Sequence, residues 1–149
     1  MIVGCKYKYE DLLQILQNTD LKYLVLKFYS DDPVADQPKF KAISYATVNG
    51  IIFSPDYYEL EEIPGSNLDL TGKPTAILGN NVIDLQILRL NLSRPTPPGG
   101  FHEFEYLKFT PAFHAIFTEH IGYTLATVPA IPGVVCKSPD PCPPVCPLH

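Results

Sequence analysis

Short runs in which apolar and polar residues alternate, each cut off by a turn signal, constrain this chain more than any other feature. Phe40, Ala42, Ser44 and Ala46 stand opposite Lys41, Ile43, Tyr45 and Thr47, and Asn49-Gly50 separates them from Ile51-Ile52-Phe53. A period of two belongs to a strand. Asn-Gly accepts positive φ at both central positions of a type I′ turn, so these residues predict a β-hairpin. A second hairpin is predicted where Thr75-Ala76-Ile77-Leu78, entered through Pro74, is separated by Gly79-Asn80-Asn81 from the apolar run at 82–88. Further strands are expected at 2–8, where Val3, Cys5 and Tyr7 alternate with Gly4, Lys6 and Lys8, and at 21–29, 101–108 and 123–128.

Two segments change period. Tyr9, Leu12, Leu13 and Leu16 fall at i, i+3, i+4 and i+7, with Glu10 and Asp11 where a helix dipole favours acids, and predict an amphipathic helix over 9–18. Thr110-Pro111 has the chemistry of an N-cap followed by proline at the first helical position. With Phe113, Ile116, Phe117, His120 and Ile121 on one stripe and Gly122 as terminator, it predicts a second helix over 111–121. Between them Ser93 to Gly100, with Pro95, Pro97, Pro98 and Gly99, reads as an exposed loop. Tight turns join several of the strands, so antiparallel pairing is expected. The predicted fold is therefore an α+β domain over 1–128: a mainly antiparallel sheet of hairpins packed with one or two short helices, and after it a proline-rich C-terminal tail over 129–149.

The chain has 149 residues, 46% of them apolar and 18% charged, enough for one core and too apolar for bulk disorder. Its net charge of −5 argues against an electrostatic nucleic-acid or anionic-membrane binder. No apolar run approaches the roughly 18 residues of a membrane span. Met1-Ile2-Val3-Gly4-Cys5-Lys6 lacks a secretory pattern, so the default expectation is the cytoplasm, with an oxidising compartment left open.

The tail departs from the rest. Seven of its 21 residues are proline, which favours extended polyproline geometry. It also holds Cys136, Cys142, Cys146 and His149, separated by five, three and two residues. Three thiolates and an imidazole make a complete tetrahedral zinc set. Their order is similar to that of a three-Cys-one-His finger, but the intervals are shorter and the basic and aromatic flanks used on RNA are missing. Two other states stay open: free thiols, as expected in the cytosol, and disulfides, for which four cysteines including Cys5 allow three complete pairings.

Elsewhere the signals for chemistry are sparse. Eight acids between Asp31 and Asp69 face two lysines, Lys39 and Lys41, and read as a solvated acidic face or partner patch; no calcium-loop glycine or distal glutamate accompanies them. His114 and His120 are six apart, which on a helix puts them off one another's face. No glycine-flanked serine elbow and no phosphate-binding glycine loop is present. Tyr57, Tyr58, Phe101, Phe104 and Tyr106 are candidate partner anchors. The function expected is a non-enzymatic interaction or assembly module, such as a subunit of a homo-oligomer or larger complex, with the tail contacting its own domain or a neighbour. The alternatives are a small hydrolytic enzyme using one of the later histidines with an acid from 56–69, and a zinc- or redox-responsive tail protein.

Overall fold

The computed structural model describes residues 1–31, 38–49, 57–96 and 99–147. Among them lie nine strands and two helices in the order β1 (Ile2–Lys8), α1 (Tyr9–Gln17), β2 (Tyr23–Tyr29), β3 (Lys41–Thr47), β4 (Tyr58–Glu59), β5 (Glu61–Leu68), β6 (Asn80–Asp84), α2 (Leu85–Leu92), β7 (Tyr106–Phe113), β8 (Ile121–Val128) and β9 (Asp140–Cys142). The strands form two antiparallel sheets, β5-β1-β7-β8 and β4-β3-β2-β6-β9. The fold is thus α+β and antiparallel, as the patterning implies.

One core serves both sheets. Ile2, Cys5, Tyr7, Leu107, Phe109, Ile121 and Tyr123 of the first sheet and Leu24, Leu26, Ala42 and Ile83 of the second belong to a single buried cluster. Two aromatic stacks cross between the sheets: Tyr7 on Tyr58 at 4.4 Å and Phe28 on Tyr123 at 5.7 Å. Backbone bonds from Phe40 to Met1 and from Val3 to Phe40 stitch β1 to the start of β3. Leu12 and Leu16 of α1 are fully buried, each stabilising by about 1.5–3 kcal/mol. α1 has no basic residue in its last turn. Its Leu16 carbonyl, and those of Asn18 and Leu21 in the chain that follows, are met instead by Arg89 of α2, which donates to them at 2.8–2.9 Å.

Several local expectations fail for physical reasons. The run at 82–88 is a strand only to Asp84. There the carboxylate accepts from the amides of Gln86 (2.9 Å) and Ile87 (3.4 Å), capping α2, whose Leu85, Leu88 and Leu92 make one buried stripe. Residues 75–78 form no strand; Ile77 makes an isolated bridge to His120, and Asn80 and Asn81 already belong to β6. No helix forms over 111–121. β7 continues through Pro111 to Phe113 and pairs with β8 to the end of its length, while Ile116, needed on the helical stripe, is 77% exposed. Pro111 is tolerated because β1 pairs with β7 only as far as Phe109, which leaves one side of the strand open. β7 begins at Tyr106 rather than Phe101, which is tied back to Ser93 across the proline loop. Gly50 of the predicted Asn49-Gly50 turn and Ile51-Ile52-Phe53 lie outside the described residues.

Candidate functional site

The tail is built into the fold. After β8 the chain turns at Pro132-Gly133, where Val134 N–H donates to the Ile131 carbonyl at 3.1 Å and glycine supplies φ of 80°. It then runs extended, and its side chains alternate. Ile131, Val134 and Cys136 pack on the core while Val135 is 80% exposed. Asn91 of α2 accepts from the Lys137 amide at 3.1 Å. β9 then pairs with β6, Val82 opposite Asp140 and Asn80 opposite Cys142, as the fifth strand of the second sheet. Pro141 is acceptable there because β9 is an edge strand. Past β9 the chain closes on itself: Val145 N–H donates to the Pro141 carbonyl at 2.8 Å and Cys142 is joined to Cys146 by a disulfide. The result is a strap that leaves the first sheet at β8 and is clipped onto the edge of the second.

Of the four residues of the expected zinc set, Cys136, Cys142 and Cys146 lie among the described residues. Cys142 and Cys146 are consumed by the disulfide, and a disulfide sulfur is no thiolate ligand. Cys136 is a free, half-buried thiol whose pKa is raised by burial, on extended chain that carries no turn between it and Cys142. His149 lies outside the described residues. Cys5 is a separate free thiol in the core, pushed up to about 12 by burial. Sequence spacing allowed the Cys142–Cys146 bridge but did not select it; the selection comes from the turn at 143–145.

His114 and His120 sit in the loop joining β7 to β8. His114 Nδ1 accepts from the amides of Ile116 (3.1 Å) and Phe117 (3.2 Å), so it organises its own loop. The Phe117 ring lies 5.4 Å from His114 and 6.1 Å from His120. Among the described residues no histidine nitrogen lies within 4.0 Å of a carboxylate. A hollow of about 120 Å³ beside His114 is lined by Phe113, Tyr123, Thr124 and Ser138, without an acid.

Three acids of the run, Asp31, Glu61 and Glu62, are paired with lysines, of which Lys6 and Lys8 lie far from the run in sequence. Glu61 meets Lys8 at 2.8 Å and Lys6 at 3.7 Å, and the bond from Lys8 holds its carboxyl below the usual range. Glu62 meets Lys39 at 2.6 Å. Asp31 accepts from the Tyr29 hydroxyl at 2.6 Å and meets Lys41 at 3.5 Å, and both lower its pKa. Asp32, Asp36 and Asp56 lie outside the described residues. Of the candidate anchors, Tyr57 is 56% exposed. Tyr58 stacks on Tyr7 and donates to Asp11 at 3.0 Å, while Phe104 is buried edge-on against Tyr9 at 4.8 Å. Tyr106 lies under Lys6.

A hollow of about 170 Å³ lies between the strap and the second sheet. Its sheet wall is Tyr23, Val82 and Asp84; its strap wall is Lys137, Asp140, Val145, Cys146 and Pro147. Nothing local marks it, because its two walls are more than fifty residues apart along the chain. Among the described residues no helix is long and apolar enough to cross a membrane. Comparison of the chain with protein-family models, curated proteins and solved structures gives no match.

Proposed function

We propose that this chain is a non-enzymatic assembly module, a subunit of a homo-oligomer, with the C-terminal strap as its contact element. The observation that carries the reading is the addition of β9 to the edge of β6, at the end of a proline-rich connection. Strand addition rests on backbone hydrogen bonds, and the same edge exists on every copy. A strap that closes on its own sheet therefore makes identical contacts on a second copy, and exchange trades one for the other at little cost.

Light scattering of the full chain over a wide concentration range tests it. Dimers are expected to grow with concentration and to disappear in a Cys142→Asp, Cys146→Ser double variant, which puts a charge where β9 is buried. A wild-type chain that stays monomeric at every concentration removes the reading. The Cys142–Cys146 disulfide favours a second reading, a redox-responsive tail. Its mark is a dimer fraction that changes with dithiothreitol.

A further inference from the structure

We propose that the hollow between the strap and the second sheet binds a primary ammonium group carried on a short apolar stem. Its volume of about 170 Å³ is comparable with the roughly 150 Å³ cavity that takes up benzene in another protein. One aromatic ring or a chain of several methylenes fits.

The lining sets the chemistry. Val82, Val145, Pro147 and Cys146 offer an apolar lining. Two carboxylates, Asp84 and Asp140, stand against one cation, Lys137, so an anionic ligand is repelled and one unit of positive charge is wanted. Each carboxylate keeps an oxygen in reserve. Asp84 uses Oδ1 for the first-turn amides of α2, and Asp140 uses Oδ2 for Lys137 at 3.2 Å; no partner meets Asp84 Oδ2 or Asp140 Oδ1 among the described residues. The chain itself presents the ligand type at this place: Lys137, an alkylammonium, lies on the rim with its Nζ on Asp140. An ammonium carries three N–H donors and no acceptor, which suits a lining that offers two carboxylates. Cys146 belongs to the disulfide clip and Val145 and Pro147 flank it, so the site exists only while the strap is docked.

Amide-resolved NMR titration of the full chain with n-pentylammonium tests the proposal, with n-pentanol as the neutral counterpart. Saturable shifts are expected at Val82, Asp84, Asp140 and Val145, and pentanol should bind about tenfold more weakly, the worth of one partly shielded charge-assisted contact. Asp84→Asn keeps the α2 cap, since asparagine caps as well as aspartate, and removes the charge; it should weaken pentylammonium several-fold. Lys137→Met removes the internal competitor and should tighten it. Pentanol binding as well as pentylammonium, or shifts that spread away from the hollow, overturns the proposal. N-acetyl-lysine N-methylamide separates the sources. Affinity equal to pentylammonium makes a lysine side chain of a partner protein a sufficient ligand, and much weaker binding restricts the site to small free amines.

Discussion

Replacing Arg89 by methionine removes the strut between the two helices while keeping an apolar stem in place. Three short bonds are lost: Nε to the Leu16 carbonyl at 2.9 Å, and Nη2 to Asn18 at 2.8 Å and Leu21 at 2.9 Å; a longer contact to Ile15 at 3.4 Å shares one of these hydrogens. The Asn18 bond is exposed and water replaces it, so it counts for little. The other two are part-buried. Charge-assisted bonds of that kind are worth roughly 1.5–3 kcal/mol each. Against this, the methionine variant is relieved of desolvating a guanidinium, the cause of Arg89's lowered pKa. The net expectation is a loss of about 2–3 kcal/mol, or roughly 5–10 °C in Tm for a chain of this size. Arg89→Lys should recover about a third, because an ammonium is a point donor that reaches one of the carbonyls well. Urea unfolding followed by circular dichroism, with calorimetry, reads both variants. A methionine variant within about 0.5 kcal/mol of wild type refutes the argument and means that water caps α1 as well as Arg89 does.

Gly4→Ala should cost about 1–3 kcal/mol, because the new Cβ runs into Ser66 of β5, with the Ser66 carbonyl oxygen at 2.6 Å where the register shifts; equal denaturation midpoints refute the close approach. Alkaline stability should fall from about pH 9, because burial favours the neutral forms of Cys5 and Tyr7, both pushed up to about 12, while the unfolded chain ionises them near 9.0 and 10.0. Each group's contribution is complete below its unfolded value and declines by about 1.4 kcal/mol per pH unit up to 12, so Cys5→Ala should flatten the profile between pH 9 and 10; an unchanged profile assigns the loss elsewhere. Reducing the Cys142–Cys146 bridge opens a ring between residues four apart and should cost at most about 2 kcal/mol, measured by urea unfolding with and without dithiothreitol. Zinc added to the reduced chain should gather Cys136, Cys142, Cys146 and His149 only as β9 leaves β6, because six residues of extended chain span roughly 20 Å. Zinc binding with β9 amide protection intact contradicts this.

Local periodicity determined the class of the fold and much of its first half. Val3, Cys5 and Tyr7 define β1, and the switch to Leu12 and Leu16 defines α1, because one buried face of a strand or helix imposes its own repeat on the sequence. β2, β3 and β8 are legible for the same reason. Where two periods fit the same residues, tertiary contacts decided. Leu85, Leu88 and Leu92 became a helix because Asp84 capped them and a core lay beneath one stripe; Pro111 and Phe113 stayed in a strand because β8 lay alongside. The site shows the same division. Prolines and cysteines announced an unusual tail, but its docking on β6, the choice of Cys146 as the partner of Cys142, and the hollow facing Asp84 depend on surfaces brought together from distant positions. The same is true of the lysines that meet Glu61 and Glu62 and of Arg89 at the end of α1. A local pattern encodes which face of an element is buried; what lies against that face is set by the packing of the whole chain.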